Sequence, residues 1–585
     1  MYRLTSSTLF TLALLAAWPS WATTFTVCSS GCDETTIQDV FDKKDLAPGD
    51  IVEVHEGTYR EKVTVGTNDG GDKMAYMTLK ARAGDAVTIS GASILGFSGW
   101  NKTAGRTNVY QESYTLALRC ESMVWEDDIR LTEVIDVATC DTTDASFYHD
   151  TGANIVYINA TGSRNDPSTN GKLYEVPAQT ENFDDNGNDY IIFDGIDCIK
   201  TYSDDPNTVG GIKLTGSNNI VRNLSSYNHR RHSLTFYTGA NDNTVTNVHF
   251  YDSASTCPVA FFSAGCQNNI LENSFIHDGS ANGVIYFHGG ATSNWVTFCH
   301  IHNDNNRIRL VNMESSGNTI YGCLLDGTAR GAFYLNFGDY NFIISCIIDA
   351  ADFTDIPMDW NGKADFIHVI GNTMINGANG AYFIQADSGT NLRVYNNICV
   401  DSGRFIYVAD ATGLQSDYNL AYNMGTRWGN YEGTLCAALA NWQAATGGQD
   451  ASSLEQDPEI LPDYRIPCGS PADSAGYTSV VSLGAIDIYG LELLELDGTV
   501  NMGACAGCVA EDICECDLNA DGNCNILDWP LFTEDWGRTD CNELAVECEC
   551  DLNSDGSCNI LDWPIFSEDW GRTDCPRLRE SQLAD

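Results

Sequence analysis

Near the C-terminus, two copies of one acidic phrase place oxygen-bearing side chains at a spacing that suits a metal ion. The first copy begins at Cys514 and the second at Cys548, 34 residues later. In each copy, Asp, Asn, Asp, Gly, Asn and Asp stand at positions 1, 3, 5, 6, 9 and 12 of a loop, and Ca²⁺ requires such hard oxygen ligands with glycine at the sharp turn. With the position-7 residues included, the predicted calcium ligands are Asp517, Asn519, Asp521, Asn523, Asn525 and Asp528 in the first copy, and Asp551, Asn553, Asp555, Ser557, Asn559 and Asp562 in the second. We therefore expect one calcium ion per loop.

A loop closed by Asp at position 12 and followed by one short helix resembles a dockerin repeat rather than a complete EF-hand. The resemblance implies attachment to a cohesin-like partner. Each copy departs from that pattern, because it adds cysteines such as Cys516 and Cys524 and because Pro530 falls near the start of the helix. A calcium-and-disulfide module with a different partner, or with none, is the alternative.

A second set of candidate residues lies between Tyr286 and Asp387, on short runs that recur about every two dozen residues. Aromatic faces stack on sugar rings, and amides supply paired donors and acceptors for hydroxyl groups. The predicted sugar-contacting residues are Tyr286, Asn312, Tyr334, Asn336, Asn361, Phe383 and Gln385. The alternative interpretation is a pair of stacking ladders that only stabilise the fold.

The same stretch carries groups that could cleave an acidic sugar chain by β-elimination, which needs a base for the C5 proton and a cation beside the carboxylate. Lys363 is the only lysine between Lys213 and the C-terminus, and it is the predicted base, with Arg307 and His288 completing the catalytic set. Glu314, Asp359 and Asp387 are tentative ligands for a calcium ion in the groove, and such an ion would let an acidic protein hold an acidic polysaccharide.

Two alternatives to a lyase stay open. A hydrolase would use paired carboxylates, and on straight strands Asp359 and Asp387 are expected roughly 14 Å apart, beyond the ~5–9.5 Å that glycosidases use. The other alternative is a carbohydrate-binding or surface protein without catalysis, in which the arginines that precede the strands are solvated and only offset nearby acidic turns.

The element that must position these residues is a solenoid. A phrase beginning with Asn recurs at Asn219 with spacings of 24, 26, 25, 24 and 23 residues, and again at Asn391. A second, β-rich phrase follows each time, 24 or 25 residues apart, and no helical periodicity is present. This pattern predicts an all-β fold, a right-handed parallel β-helix in which each coil buries the hydrophobic face of its neighbour.

Within the second phrase, alternation with period two assigns faces to individual side chains. Leu335 is predicted to point inward, and Asn336 and Phe383 outward. Arg309 falls in an inward position, where a buried arginine would need a partner.

The start of the solenoid also resembles a known group. A short amphipathic stretch from Thr35 is followed by Pro48-Gly-Asp, a strand, and the turn Gly57-Thr-Tyr. This opening is similar to that of secreted right-handed β-helix proteins, among them polysaccharide lyases of the alginate-lyase and chondroitinase-B type. The resemblance implies the fold, and it implies a polysaccharide substrate as an expectation.

Composition and charge complete the prediction. We expect a signal peptide at residues 1–22, a β-helix over 23–505 with a β-rich insertion at 98–185 and a closing segment at 414–505, a linker at 506–513, and the dockerin-like repeats at 514–585. The formal net charge of −49 argues against a nucleic-acid partner, and 23 cysteines suit an oxidising, extracellular location. No stretch of the mature chain is long and apolar enough to span a membrane.

Overall fold

A computed structural model describes residues 22–508 except 97–98, 115–122, 163–164, 203–209, 361–363, 378–381, 426 and 495–497, together with Leu518, Cys524, residues 529–534, Trp536 and Arg538. The described chain is a parallel β-solenoid of about 15 turns, so the predicted all-β solenoid is confirmed. All twelve predicted calcium ligands of the C-terminal loops, as well as Asn361 and Lys363, lie outside the described residues. No helix in the described part of the chain is long and apolar enough to cross a membrane.

One sheet of 23 strands forms two of the ladders that run along the solenoid. Its strands are Thr24–Val27, Ile51–Val54, Gly57–Tyr59, Met77–Ala81, Val87–Ser90, Ile191–Asp194, Ile196–Ile199, Ile220–Tyr227, Thr244–Phe250, Ile270–Glu272, Phe275–Ile276, Trp295–Thr297, His300–His302, Thr319–Tyr321, Leu324–Asp326, Phe342–Ile344, Ile347–Asp349, His368–Ile370, Thr373–Ile375, Arg393–Tyr395, Ile398–Val400, Gln415–Asp417 and Leu420–Tyr422. We call it the first sheet.

The second sheet has 13 strands and carries the second, β-rich phrase of the repeat. Its strands are Val63–Thr64, Phe183–Asp184, Ile212–Leu214, Leu234–Phe236, Val259–Phe262, Ile285–His288, Arg309–Met313, Gly331–Leu335, Met358–Trp360, Tyr382–Ala386, Arg404–Val408, Arg427–Tyr431 and Thr434–Cys436. Parallel pairing of consecutive strands stacks equivalent residues of successive coils into columns, and inward columns such as Phe287, Met313 and Leu335 form the core.

The repeated asparagines form a buried ladder along one corner of the solenoid. The backbone N–H of Asn219 donates to Oδ1 of Asn243 at 2.7 Å, and the backbone N–H of Asn243 donates to Oδ1 of Asn269 at 3.1 Å. The pattern continues through Asn294 and Asn318, and these side chains are fully or almost fully buried. Each amide therefore satisfies a backbone group at a turn that would otherwise be buried without a partner.

Residues 92–177 form two smaller sheets beside the early coils. Their strands are Ala92–Ile94, Trp125–Glu126, Ile129–Arg130 and Tyr174–Pro177 in one sheet, and Asn101–Lys102, Tyr110–Ser113, Thr132–Glu133, Ser146–Asp150 and Ile155–Asn159 in the other. Lys200 of the solenoid is fully buried, forms ion pairs with Glu175 and Asp128 of these sheets, and lies 5.6 Å from the ring centre of Trp125. This buried cation ties the insertion to the coil beneath it.

Four short helices accompany the strands in the described part of the chain. The helices are Ile37–Lys43, Val137–Thr142, Leu439–Thr446 and Trp529–Glu534, with one 3₁₀ turn at Thr478–Val480. The first is capped by Thr36 and buries Ile37, Val40 and Phe41. In the third, buried Trp442 donates from Nε1 to Asp450 at 2.7 Å. Disulfides join Cys28 to Cys32 and Cys468 to Cys508.

Candidate functional site

A cleft of about 290 Å³ opens on the outward face of the second sheet. It brings together residues of four successive coils. We call it the arginine cleft, and its lining residues are Asn282, Gly283, Arg307, Ile308, Arg309, Asn312, Arg330, Tyr334 and Asp359. It contains four of the residues predicted from the sequence: Arg307, Asn312, Tyr334 and Asp359.

The floor of the cleft is a buried ion pair between Arg309 and Asp359. Their Nη2 and Oδ2 atoms are 2.5 Å apart, and the same guanidinium donates from Nη1 to the carbonyl of Ile356 at 3.1 Å. The ring of Tyr334 lies beside it, 5.3 Å from the guanidinium carbon to the ring centre. Arg309 was predicted to face inward and does not: Leu310 and Val311 are both fully buried in the core, so the alternation breaks between them and the guanidinium of Arg309 lies in the cleft.

Gly331 leaves the space that this ion pair needs. The register pairs Arg309 with Gly331 on the next coil. A Cβ atom on Gly331 would lie 2.3 Å from the carbonyl oxygen of Ile356 and 3.0 Å from Nη1 of Arg309. The guanidinium can therefore pass over this coil and reach Asp359 only because residue 331 has no side chain.

The electrostatics of the cleft favour a neutral form of Asp359 more than is usual for an aspartate. Burial raises the pKa of its carboxyl group, the Arg309 charge opposes that rise, and Asp387 and Asp355 add to it. Burial likewise lowers the pKa of Arg309, against the charge of Asp359. Oδ1 of Asp359 is buried and has no hydrogen-bond partner among the described residues.

Two further arginines, Arg330 and Arg307, line the cleft. Arg330 pairs through Nε with Asp355 at 2.9 Å, and Asp355 also lies 3.5 Å from Arg309. The exposed side chain of Arg307 has no ion-pair partner within the described part of the chain. Three guanidinium groups face Asp355 and Asp359 here, and Asp387 also acts on Asp359, so the cleft concentrates arginines on a chain whose formal net charge is −49.

Orphaned polar atoms mark the outward face of the second sheet. Buried side-chain atoms without a hydrogen-bond partner among the described residues occur there on six residues, namely Oγ1 of Thr235, Nδ1 of His288, Oδ1 of Asn312, Oδ1 of Asp359, Nε of Arg404 and Oδ1 of Asn430. Because an unpaired buried polar atom costs free energy, such a row favours a ligand that supplies donors and acceptors along the groove.

The register sorts the predicted sugar-contacting residues. Tyr286, Asn312, Tyr334, Asp359 and Gln385 pair in that order and form one outward column. Asn336 is half-buried on the same face, two residues beyond Tyr334. His288 lies on the same coil as Asn282 and Gly283 of the cleft, with its ring centre 4.9 Å from that of Phe262 and 5.1 Å from that of Tyr286.

Phe383 contradicts its predicted role. Its side chain is fully buried in the core, where its ring centre lies 6.1 Å from that of Phe405. The prediction counted this run two residues too early, since Asp359 pairs with Gln385 and not with Phe383. Phe383 is the second residue of its strand, and both it and Ile384 are fully buried in the core, so the in-and-out alternation breaks between these two residues.

The three carboxylates proposed for a groove calcium ion have separate partners. Glu314 accepts a hydrogen bond from the hydroxyl of Tyr286 at 2.6 Å, Asp387 accepts one from Gln385 at 2.8 Å, and Asp359 pairs with Arg309. Among the described residues, these three do not form a group whose ligand atoms lie within 4.8 Å of one another.

Sequence reasoning gave Arg309 no role in the site and did not single out Asp355. The signal for Arg309 was its charge at an apparently inward position, which already required a partner. Nothing in the local sequence of Asp355 indicates that it contacts two arginines from two other coils.

Comparison with known proteins gives the fold and no family. No family model and no curated protein matches the chain. Among solved structures, the chain is similar to XylC, solved in complex with xylose, at 13% identity and a TM-score of 0.55 over 75% of this chain and 87% of that one. It is also similar to the pectate lyase Pel9A, at 12% identity and a TM-score of 0.37 over 83% and 97% of the two chains. A PL6 alginate lyase in complex with a trisaccharide has 12% identity and a TM-score of 0.33 over 68% and 79%. At such identities the likeness to XylC shows a shared β-solenoid fold and says nothing about chemistry.

Proposed function

We propose that this protein is a carbohydrate-active enzyme that cleaves a uronate-containing polysaccharide by β-elimination at the arginine cleft. The observation that carries the proposal is the cluster of Arg307, Arg309 and Arg330 on one cleft of a strongly acidic chain. An anionic polysaccharide is repelled by most of such a surface and attracted at this cleft. The orphaned oxygens of Asn312 and Asp359 add acceptors for sugar hydroxyl groups.

The chemistry divides between binding groups and a base. In β-elimination a base removes the C5 proton, the electron pair forms the C4–C5 double bond, and the C4–oxygen bond breaks and releases a chain end that takes up a proton. Arg307 and Arg330 would hold the carboxylate and neutralise it, because a guanidinium binds a carboxylate through two parallel hydrogen bonds. That neutralisation makes the C5 proton easier to remove.

The proposed base is Lys363, which follows Trp360 by three residues in the sequence. A lysine amine accepts a proton only in its uncharged form, so this role requires the pKa of Lys363 to be lowered toward neutrality. We expect Lys363→Ala to abolish turnover without loss of substrate binding or thermal stability.

The test is product analysis on a panel of uronate-containing and neutral polysaccharides. A lyase releases a conjugated, ultraviolet-absorbing chain end, whereas a hydrolase releases reducing ends alone. Arg307→Ala should weaken binding and turnover on the uronate chain, while Arg393→Ala, an exposed arginine on the first sheet, should leave both unchanged. If the protein retained polysaccharide but released neither product, it would be a binding protein and not an enzyme.

A second candidate function, glycoside hydrolysis, rests on the observed register. Asp387 lies one coil and two residues from Asp359, not the four residues that the sequence indicated. A strand spacing of about 4.8 Å and a two-residue rise of about 6.6 Å put the two backbone positions about 8 Å apart. This backbone separation lets the two carboxyl groups take up the roughly 6.5–9.5 Å separation found in inverting glycosidases. Buried Asp359 would then be the acid and exposed Asp387 the base. Loss of hydrolysis in Asp387→Asn, with no unsaturated product from the wild type, would favour this candidate.

We also propose that the chain is exported and is attached through residues 514–585 to a cohesin-like partner in a calcium-dependent manner. The two complete loop sequences support this proposal. Capture of the full-length protein by immobilised cohesins in Ca²⁺, and its release by a chelator, is the expected result. No capture by any cohesin would leave a calcium-and-disulfide module with a different role.

A further inference from the structure

Two histidines and one aspartate converge on the outward face of the first sheet, whereas the arginine cleft lies on the second sheet. His300 and His302 are two residues apart on one strand and so point to the same face. Asp326 pairs in register with His302 on the next coil. Oδ1 of Asp326 lies 2.9 Å from Nε2 of His300 and 2.7 Å from Nδ1 of His302.

We propose that His300, His302 and Asp326 bind a divalent transition metal ion of the Zn²⁺ class, with coordination positions left open to solvent. Imidazole nitrogen and carboxylate oxygen are ligands that Zn²⁺ and its neighbours accept, at about 2.0–2.2 Å. At that radius, adjacent ligand atoms lie about 2.8–3.1 Å apart around an octahedral ion and about 3.3–3.6 Å apart around a tetrahedral ion. The observed 2.9 and 2.7 Å separations between Oδ1 of Asp326 and the two histidine nitrogens are close to the octahedral values, so a shift of the carboxylate by less than an ångström would admit the ion.

A second carboxylate holds one of the ligands in place. Nε2 of His302 lies 3.2 Å from Oδ1 of Asp304, which leaves Nδ1 to face Asp326. A carboxylate on the far nitrogen of a metal-binding histidine fixes the ring and raises its basicity. His300 is held from its other side by Phe275, whose ring centre is 4.8 Å away.

The neighbouring histidines of the same face are engaged with each other. Nε2 of His249 lies 2.7 Å from Nε2 of His277, and Nδ1 of His277 lies 2.8 Å from Asp278. The converging set is therefore limited to His300, His302 and Asp326, whose ligand atoms all lie within 4.8 Å of one another.

The site is accessible to an external ligand. The side chains of His300, His302 and Asp326 are 38%, 27% and 26% exposed. His300 also lines a shallow depression of about 730 Å³ with Asn223, Asn247 and Asn273. Three protein ligands with open positions are the arrangement of catalytic rather than structural zinc sites, so the ion would present a Lewis acid to a hydroxyl or carboxylate group in this depression.

The competing explanation is a pair of charged hydrogen bonds from the histidines to Asp326, with no metal. The experiment is titration of the full-length, metal-stripped protein with Zn²⁺ alone, followed by calorimetry and by direct measurement of bound zinc after desalting. The C-terminal cysteines could also bind Zn²⁺, so the readout is the difference between the wild type and each variant. His302→Gln and Asp326→Asn should each lose one bound ion or weaken that site roughly tenfold or more, and His249→Gln should match the wild type.

A second probe keeps the test decisive if a variant folds poorly. Co²⁺ at a His–His–Asp site gives weak visible bands without thiolate charge-transfer absorption, and Asp326→Glu should retain them because it retains the oxygen ligand. Equal zinc stoichiometry and affinity in wild type, His302→Gln and Asp326→Asn would overturn the proposal. Purely thiolate-type Co²⁺ spectra in the wild type would do the same.

Discussion

Arg309 reaches across an entire coil to Asp359, and the 2.5 Å contact between Nη2 and Oδ2 joins residues 50 positions apart in the chain. Both side chains are nearly excluded from solvent, with 6% and 9% of their surface exposed. Because a buried charge that loses its partner is costly, this pair affects the stability of the three coils it spans. It also affects the electrostatic potential of the cleft.

Breaking the pair on one side should be costly. Asp359→Ala leaves the Arg309 charge buried without its main partner, and we expect a loss of about 3–5 kcal/mol in stability. The double variant Arg309→Met/Asp359→Leu should recover most of that loss, because no charge remains buried. Thermal melting of the wild type and the two variants tests this expectation, and equal melting temperatures for Asp359→Ala and the double variant would contradict it.

Adding one methyl group at residue 331 should disturb the cleft without touching its charges. In Gly331→Ala the new Cβ would lie 2.3 Å from the carbonyl of Ile356, so we expect a cost of about 1–3 kcal/mol and weaker binding of an anionic polysaccharide. The control is Gly96→Ala, where the nearest atom would be 3.6 Å away. Affinity chromatography on the polysaccharide compares the two, and unchanged retention of Gly331→Ala would argue against the role given to Arg309.

The inward and outward faces of the second sheet can be tested at two neighbouring positions. Leu335 is fully buried and stacks in register between Met313 and Trp360, so Leu335→Asp should cost about 4 kcal/mol or more. Asn336→Asp introduces the same group on the half-buried outer face and should change stability little. Similar melting temperatures for the two variants would mean that the faces are assigned wrongly.

Two buried histidines should make the solenoid sensitive to acid. Burial lowers the pKa of His229 to about 3 and that of His232 to about 4. The folded state therefore keeps both rings neutral while the unfolded chain takes up protons below about pH 6.5, so stability falls by roughly 1.4 kcal/mol per pH unit for each ring as the pH drops from there toward the folded pKa.

Replacing His229 by Asn should remove the contribution of one histidine from this dependence of stability on pH. The ring of His229 contacts Thr201 Oγ1 at 2.7 Å and Ser226 Oγ at 2.9 Å, so the variant is expected to be less stable at neutral pH but less acid-sensitive. Melting temperatures between pH 7 and pH 4.5 provide the measurement. Parallel curves for the wild type and His229→Asn would show that this ring does not stay neutral.

The C-terminal loops should each bind one calcium ion. We expect calorimetric titration of the full-length protein to give two sites that disappear in the double variant Asp517→Ala/Asp551→Ala, because position 1 of each loop supplies a carboxylate ligand. Asp585→Ala, outside both loops, is the control. Unchanged stoichiometry in the double variant would refute the assignment.

The period of the sequence was enough to predict the solenoid, because the asparagine ladder repeats a chemical requirement in every coil. Cys299, Cys323 and Cys346, spaced at the same period, are buried free thiols, as stacked positions in a core would be. The Asn391 phrase is an exception. Arg393 is the residue that pairs with His368, and Asn391 lies two residues before it, so Asn391 does not continue the ladder.

The cleft could be predicted only in part, because its geometry depends on register. Tyr286, Asn312 and Tyr334 were placed on the outward face from alternation alone. Phe383 was misplaced because it and its neighbour Ile384 are both buried, and the sequence gives no sign of such a break in the alternation within a strand. The contact of Arg309 with Asp359 requires two registers in succession and a glycine between them, and none of these is visible in a local sequence window.

The buried asparagine ladder makes the coils between Asn219 and Asn341 interchangeable. The backbone N–H of each ladder asparagine donates to the side-chain oxygen of the next one, 23 to 26 residues away, so its partner does not depend on which coil that is. Duplication or deletion of one whole coil in this region would leave each of these backbone groups satisfied. The ladder therefore places no limit on the number of coils, and evolution could lengthen or shorten the groove one coil at a time while both ends of the molecule stayed the same.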